Sequence, residues 1–161
     1  MSGVTAADVL QALRDRGLTA GTAESCTGGL VAGELTSVPG SSDVVLGGVV
    51  SYAFSVKERL LGVPAEELDA HGAVTETCAR LMAAGAKEAI GCDVAISVTG
   101  IAGPGGEEPG KPVGTVWLAV DAPGLVRAER HWFPGGRDEV RRQAVVAALE
   151  LVMSAVRAIQ S

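Results

Sequence analysis

A short polar segment, residues 22–29, lies between an apolar run and an apolar helical pattern, and it constrains the fold more than any other segment. The segment contains two hydroxyl side chains before its central cysteine and ends in two glycines. It joins a predicted strand over 18–23 to a predicted helix over 27–35. Strand–corner–helix units of this kind belong to α/β proteins, which bind ligands at the carboxyl ends of their strands. The segment therefore predicts a site at the edge of a sheet.

Ser25, inside this segment, has two interpretations. A serine at the start of a helix commonly accepts a hydrogen bond from a backbone N–H two or three residues later, which would make Ser25 a simple N-cap. Alternatively, Ser25 is a nucleophile beside helix N–H groups that have no intrahelical partner and could bind an anion or a developing oxyanion. Cys26 is a further candidate nucleophile, because a helix start can lower the pKa of a thiol.

Composition limits the classes of protein that this chain can belong to. Hydrophobic residues make up 47% of the 161 residues and aromatic residues only 3%, so aliphatic side chains must fill the core of what we expect to be one domain, 1–161. A formal net charge of −6 provides no basic surface for nucleic acid and no polybasic membrane anchor. The sequence shows no signal-peptide or transmembrane pattern, which predicts a cytoplasmic protein. Its three cysteines have no C-x-x-C spacing, which predicts neither a disulfide framework nor a zinc site and agrees with a reducing compartment.

Hydrophobic periodicity and turn residues predict alternating helices and strands along the chain. Helices are predicted over 5–16, 27–35, 55–61, 64–68, 75–90 and 137–159, and strands over 18–23, 44–53, 93–98, 113–120 and 125–133. The last two strands should be antiparallel, because only the turn at 121–124 separates them. This order predicts an α/β fold in which helices pack against a sheet.

The corner after the strand 44–53 brings a lysine and a tyrosine together. Tyr52 and Lys57 are five residues apart, and a strand-to-helix corner can direct both to one point, whereas a single regular element cannot. Ser55 and Glu58 fit a capping box, which would make Ser55 the N-cap and place Lys57 in the first turn. There the helix dipole disfavours an ammonium, so we expect a lowered Lys57 pKa. A solvated lysine and a half-buried tyrosine are the alternative.

Two further segments could bind an anion. The strand 93–98 runs into a glycine-rich loop, 99–106, whose N–H groups could wrap a phosphate, although the loop has neither P-loop nor dinucleotide-binding spacing. A flexible connection is the alternative interpretation of this loop. Arg137 and Arg141 share a face at the start of the last helix, where two like charges suit an anion bound between them. Solvated arginines are the alternative there.

The serine, the lysine and the tyrosine together suit a hydrolase that uses no histidine. A neutral lysine amine can act as the base when a serine attacks an amide. The sequence contains neither an S-x-x-K nor a G-x-S-x-G motif, so the signatures of the better-known serine hydrolases do not apply. The residues alone thus indicate an acyl or amide hydrolase.

Ordered blocks of the sequence resemble the CinA C-terminal domain family over essentially the whole chain. The blocks are 22–29, 47–52, Lys57 with 61–63, 71–74 and 99–104. The resemblance implies a single-domain α/β fold, a three-layer α/β/α sandwich with a mixed sheet, and commonly a homodimer. We expect the stand-alone form, because no amino-terminal domain like that of the longer competence-damage-inducible proteins precedes these blocks.

The characterised members of this family are nicotinamide-nucleotide amidases. The resemblance therefore implies hydrolysis of nicotinamide mononucleotide to nicotinic acid mononucleotide and ammonia, without a metal or other cofactor. It leaves a second function open, a nucleotide-binding or regulatory module that keeps the pocket without turnover. The presence of Ser25, Tyr52 and Lys57 together favours the enzyme.

The resemblance also implies roles for individual residues. Ser25 would be the nucleophile, Lys57 the base, and Tyr52 the residue that relays or positions the proton. We expect the backbone N–H groups of Cys26 and Thr27 to form the oxyanion hole. The substrate-binding candidates are Cys26, Thr27, Gly28, Thr99, Gly100, Gly103 and, for the phosphate, either Arg137 or Arg141, with Lys111 as a further possibility.

Overall fold

The computed structural model describes residues 3–159, in which five strands form one sheet. The strands are β1 (Ala20–Glu24), β2 (Val45–Val50), β3 (Val94–Gly100), β4 (Thr115–Ala122) and β5 (Leu125–Trp132). The helices are α1 (Ala6–Asp15), α2 (Leu30–Thr36), α3 (Phe54–Leu61), α4 (Ala65–His71), α5 (Glu76–Ile90) and α6 (Arg137–Ala158), with a 3₁₀ turn at Ser41–Asp43. The predicted alternation of helices and strands is confirmed.

The sheet is mixed, and its strand order is β2-β1-β3-β4-β5. Strand β1 pairs in parallel with β2 and β3, whereas β4 pairs antiparallel with both β3 and β5. The carboxyl ends of β1, β2 and β3 therefore lie at the same edge. The predicted antiparallel pairing of the last two strands is confirmed.

Helices cover both faces of the sheet and complete three layers. Helices α1, α2 and α6 pack together on one face, and α3, α4 and α5 pack on the other. Aliphatic side chains such as Leu13 and Leu118 fill the first interface, and Leu68 and Met82 contribute to the second. Because both faces are covered, β3 is buried along nearly its whole length, which explains its continuous apolar sequence. The predicted three-layer α/β/α fold is confirmed.

Some predicted helix starts are correct. Thr5 caps α1 by a capping box with Asp8, and Thr75 caps α5 by accepting a hydrogen bond from the Cys78 backbone N–H. Within residues 3–159, no helix combines the length and the hydropathy that crossing a membrane requires.

The predicted start of the helix over 27–35 is wrong, because α2 begins only at Leu30. Gly28 and Gly29 have φ values of +57° and +104°, and this left-handed backbone cannot be part of a right-handed helix. Residues 25–29 therefore form a turn between β1 and α2. Ser25 lies in this turn and is not an N-cap, since the N-cap of α2 is Gly29.

The capping box predicted at Ser55 is also wrong. Helix α3 begins one residue earlier, at Phe54, and its N-cap is Ala53, with no side-chain cap. The extended backbone of Ala53 directs its carbonyl to the N–H groups of Val56 and Lys57, at 3.2 and 3.1 Å, so the helical bonding starts there. Lys57 is consequently the fourth residue of α3, and strand β2 ends at Val50 rather than at residue 53.

Gly85 lies in α5 where this helix packs on the end of α3. A Cβ at position 85 would lie 2.0 Å from the Leu61 carbonyl oxygen, whereas a Cβ at Gly33 in α2 would meet nothing within 4 Å. Gly85→Ala should therefore lower the free energy of unfolding by about 1–3 kcal/mol. Gly33→Ala should raise it by about 0.5–1 kcal/mol, because alanine is the better helix former. Urea denaturation measures both changes, and equal stability of Gly85→Ala and wild type would contradict the packing.

Candidate active site

The candidate site lies where β1, β2 and β3 end. Ser25 directly follows β1, and its N–H donates to the Val98 carbonyl of β3 at 2.9 Å. Ser51 directly follows β2, and its N–H donates to the Glu24 carbonyl at 2.8 Å. The Gly28 N–H closes the turn on the Ser25 carbonyl at 3.0 Å. The sheet and the turn thus fix the Ser25 backbone at the predicted carboxyl edge.

The Lys57 amine lies against the Ser25 hydroxyl. Its Nζ is 3.1 Å from Ser25 Oγ and donates to the carbonyls of Ser51, at 2.6 Å, and Tyr52, at 3.0 Å. Only 1% of the Lys57 surface is exposed, and no carboxylate is among the partners that the described residues give it. The structure therefore brings together the two residues that were predicted to be nucleophile and base.

Burial lowers the pKa of Lys57, because the charged ammonium loses its hydration and gains no acidic partner. The direction of this shift agrees with the prediction, and burial is its largest cause. A neutral amine has two N–H groups and one lone pair. The carbonyls of Ser51 and Tyr52 can take the two N–H groups, which leaves the lone pair to accept the proton of the Ser25 hydroxyl.

The thiols near this amine are poor nucleophiles. Burial raises the pKa of Cys26 to about 12 and that of Cys78 to about 11. The prediction that a helix start lowers the Cys26 pKa is wrong, because the thiol is buried in the turn before the helix. All three cysteines are free and buried.

Tyr52 contacts Lys57 through its backbone rather than through its side chain. The residue is 64% exposed, and within residues 3–159 no described hydrogen bond joins its hydroxyl to Ser25 or Lys57. It lines the same cavity as those two residues, together with the exposed aromatic ring of Phe54. Phe54 was not predicted as a site residue, since its position at the start of α3 gave no chemical signal.

Glu24 binds the turn that follows Ser25, and it was not predicted as a site residue. The residue is 1% exposed, and its carboxylate accepts hydrogen bonds from the Thr27 hydroxyl at 2.6 Å, the Val31 N–H at 2.8 Å and the Ala32 N–H at 3.0 Å. These N–H groups belong to the start of α2, so the anion that this helix start binds is the protein's own carboxylate. An acid just before a helix start is a signal that could have revealed this role.

Arg137 and Arg141 have different surroundings. Arg137 lines the cavity and donates from Nη1 to the Gly103 carbonyl at 2.8 Å. Arg141 donates to the carbonyls of Cys26, from Nε at 3.1 Å, and Thr27, from Nη2 at 3.4 Å, and it is not among the lining residues. The structure thus places one arginine at the cavity and the other against the turn after Ser25.

The cavity has a volume of about 260 Å³ and combines the chemical groups described so far. Ser25 and Lys57 line it together with Thr99, Gly100, Gly103 and Arg137, whereas Cys26, Thr27 and Gly28 are not among its lining residues. The loop 99–106 is held in place, because the Thr99 hydroxyl donates to the Ala73 carbonyl at 3.0 Å and Arg137 binds Gly103. These contacts favour a loop that forms part of the cavity wall over the alternative of a flexible connection.

Lys111 lies beside the cavity wall rather than in it. Its Nζ donates to the His71 carbonyl at 3.1 Å and lies 3.5 Å from the carboxylate of Glu108, which does line the cavity. Glu108 was not predicted as a site residue, because nothing in the loop sequence distinguished it from its acidic neighbour. Within residues 3–159, no three His, Cys, Asp or Glu side chains are grouped as metal ligands would be.

Comparison with known proteins identifies relatives of the whole fold. The sequence pattern of the CinA C-terminal domain family matches residues 4–156. A CinA-like protein from Gemmatimonas aurantiaca is 55% identical over 139 residues, which cover 86% of this chain and 32% of that protein. A CinA-like protein from Myxococcus xanthus is 49% identical over 148 residues, which cover 91% of this chain and 35% of that protein. The chain thus spans about a third of the length of these curated relatives.

Solved structures show the same fold. Competence damage-inducible protein A from Klebsiella pneumoniae superimposes with a TM-score of 0.92 at 39% identity, covering 96% of each chain. The competence/damage inducible protein CihA from Agrobacterium tumefaciens superimposes with a TM-score of 0.89 at 43% identity, covering 92% of each chain.

Lys57→Met should remove a pH dependence of stability. Burial lowers the Lys57 pKa in the folded protein below the ordinary lysine value of about 10.4. At a pH between the folded-state pKa and about 10.4, Lys57 is protonated in the unfolded chain and neutral in the folded protein. The free energy of unfolding of the wild type therefore rises with pH over this range and levels off above about 10.4. The rise is at most about 1.4 kcal/mol per pH unit.

Urea denaturation of both proteins from neutral pH to about pH 10 measures this effect. The stability of the wild type relative to Lys57→Met should increase as the pH rises. Parallel profiles for the two proteins would contradict a lowered pKa of the buried amine.

Proposed function

This chain belongs to the CinA C-terminal domain family, and we propose that it is a nicotinamide-nucleotide amidase that converts nicotinamide mononucleotide and water to nicotinic acid mononucleotide and ammonia. The observation that carries the proposal is the 3.1 Å approach of the buried Lys57 Nζ to Ser25 Oγ at the wall of a cavity. A serine next to an amine with a lowered pKa is suited to attack an amide carbon.

In the first half of the proposed reaction, Ser25 Oγ forms a bond to the carboxamide carbon while its proton passes to Lys57 Nζ. The carbonyl oxygen becomes an oxyanion, which backbone N–H groups of the turn after Ser25 would stabilise. When the carbon–nitrogen bond breaks, the Lys57 ammonium returns the proton to the departing nitrogen. The products of this half are ammonia and an ester between Ser25 and the nicotinoyl group.

In the second half, water attacks the ester and Lys57 takes its proton. The Ser25 oxygen leaves the tetrahedral carbon, recovers a proton from Lys57, and the carboxylic acid is released. Lys57 therefore ends each half-reaction as a neutral amine, and the low pKa that burial gives it serves both halves. Neither half requires a metal or another cofactor.

We assign the phosphate of the substrate to Arg137 rather than to Arg141. Arg137 lines the cavity, whereas the guanidinium of Arg141 is engaged by the carbonyls of Cys26 and Thr27. No described hydrogen bond within residues 3–159 uses the N–H groups of Gly103 or Gly105, so the glycine-rich loop can donate to the same phosphate. The exposed rings of Tyr52 and Phe54 provide apolar surface for the pyridine ring.

Further features of the enzyme are part of the same proposal. We expect a cytoplasmic homodimer that acts on a small nucleotide and binds neither nucleic acid nor membranes. Three free, buried thiols and a net charge of −6 support this setting. The proton-relay role that the family implies for Tyr52 would require its hydroxyl to reach Ser25 or Lys57 when substrate is bound.

Ser25→Ala should abolish ammonia release from nicotinamide mononucleotide, because the covalent route is lost. The measurement is coupled detection of ammonia with purified wild type, Ser25→Ala and the matched variant Cys26→Ala, whose buried thiol we place outside the chemistry. Substrate binding by Ser25→Ala, measured by calorimetry, should persist. Loss of activity in Cys26→Ala alone would move the nucleophile to the thiol, and binding without turnover by the wild type would identify a nucleotide-binding module instead.

The phosphate assignment predicts different effects of the two arginines. Arg137→Met should reduce kcat/KM for nicotinamide mononucleotide by about 10- to 100-fold, since a hydrogen bond to a charged group contributes about 1.5–3 kcal/mol. It should change kcat/KM for nicotinamide riboside, which has no phosphate, much less. Arg141→Met should affect both substrates equally. Equal losses for both substrates in Arg137→Met would contradict the assignment.

A further inference from the structure

We propose that Glu24 and Arg141 are positioning residues that hold the turn of residues 25–29 in the shape the reaction requires. Neither side chain has to touch the substrate for this role. The inference rests on the proposed function for its reaction, but it concerns residues to which the family resemblance gives no such task. Glu24 was not a predicted site residue, and Arg141 was one of two arginines predicted as alternatives for binding the phosphate.

Glu24 holds the turn from the side of α2. Its backbone belongs to β1, while its carboxylate binds the hydroxyl of Thr27 in the turn and the N–H groups of Val31 and Ala32 in the helix. One side chain thus fixes the strand, the turn and the helix relative to one another. Burying a carboxylate is costly, and no described ion pair offsets the cost here, so its three hydrogen bonds must do so.

The helix start keeps no free donor for a ligand as a result. The N–H groups of Leu30 and Gly33 donate to the carbonyls of Thr27 and Gly29, at 3.0 and 2.8 Å, and Glu24 takes the two N–H groups between them. The backbone donors that remain near Ser25 are therefore those of the turn itself.

Arg141 holds the turn from the side of α6. It donates to the carbonyl of Cys26, and a trans peptide directs its C=O and its N–H in opposite directions. The Thr27 N–H, which belongs to the same peptide, must therefore point away from Arg141. Gly28 allows this close approach, since a Cβ at that position would lie 3.3 Å from Arg141 Nη2.

The N–H groups of Cys26 and Thr27 are the donors that this arrangement presents. Both residues are buried, and within residues 3–159 no described hydrogen bond joins either N–H group to another residue. Buried N–H groups without a partner are rare in folded proteins, so such a pair directly after Ser25 indicates a place for a ligand oxygen. Arg141 binds the carbonyl of the peptide that carries the Thr27 N–H, and Glu24 binds the Thr27 side chain. The Gly28 N–H binds the Ser25 carbonyl of the peptide that carries the Cys26 N–H, so this donor is held by the turn itself.

Glu24→Gln and Arg141→Met test the proposal, each with a matched control. Asp93→Asn is the control for Glu24→Gln, because the Asp93 carboxylate also binds a backbone N–H and a hydroxyl, those of Thr19 at 2.9 and 3.0 Å, at the opposite end of β1. Arg14→Met is the control for Arg141→Met, because Arg14 donates to the Gly40 carbonyl and to Asp43, away from the cavity.

The first readout uses nicotinamide mononucleotide. In Glu24→Gln and Arg141→Met we expect kcat to fall about tenfold or more, because small displacements of reacting groups and oxyanion donors have effects of this size. The KM should change much less, and the pH midpoint of activity should stay that of the wild type. Both control variants should keep near wild-type kcat, even if they lower the melting temperature as much as Glu24→Gln and Arg141→Met do.

The second readout does not depend on the substrate. An alkyl fluorophosphonate reacts with an activated serine, as Ser25 Oγ bonds to phosphorus, its proton passes to Lys57, and fluoride leaves. The rate of this labelling, located at Ser25 by peptide mass spectrometry, should fall in the two variants about as much as kcat does, and it should not fall in the controls. If the wild type is labelled but releases no ammonia, the proposed substrate is wrong, while the labelling rates still test the positioning.

Three results would overturn the positioning proposal. The first is that the fluorophosphonate does not label Ser25 in the wild type. The second is that Glu24→Gln and Arg141→Met are labelled at the wild-type rate. The third is that these two variants change KM and leave kcat unchanged. If Glu24→Gln does not fold, Thr27→Val removes only the hydroxyl that Glu24 binds and keeps the backbone. It should lower the labelling rate in the same direction, and an unchanged rate would also overturn the proposal.

Discussion

The buried contact between the Lys57 amine and the Ser25 hydroxyl is the interaction to which the rest of the candidate site is fitted. It exists because the carboxyl ends of the parallel strands β1 and β2 meet at one edge and because only residues 51–53 separate β2 from α3. Burial that removes water from the amine lowers its pKa, and two backbone carbonyls compensate for the lost hydration. A lysine that would otherwise be a cation is thereby suited to accept a proton.

Some of the charged groups around this contact hold the backbone in place, and another faces the cavity where a ligand would bind. Glu24 and Arg141 are engaged with the backbone of the turn and with the start of α2, so their charges contribute to the shape of the site. Arg137 lies at the start of α6, holds the glycine-rich loop, and presents a cation to the cavity. This division explains how two arginines on one helix face can serve different purposes, and it is the basis of our phosphate assignment.

Much of the fold could be predicted from the sequence, because hydrophobic periodicity and turn residues are local signals. The strands and helices lie close to their predicted positions, and α1 and α5 begin within one residue of their predicted starts. The errors at α2 and α3 have one cause. Backbone conformation decided where those helices begin, through the left-handed glycines at 28 and 29 and the extended Ala53, while side-chain patterns suggested other caps.

For this protein, the sequence by itself determined the α/β class, the family and the pairing of Ser25 with Lys57, since these follow from residue types in a recognisable order. Only the tertiary structure decided which arginine reaches the cavity, that Tyr52 meets Lys57 through its carbonyl, and that Glu24 occupies the start of α2. The physical reason is that burial and hydrogen-bond partners depend on neighbours distant in sequence. Arg137 and Arg141 look alike on a helix, and only the packing of α6 against the turn and the loop distinguishes them.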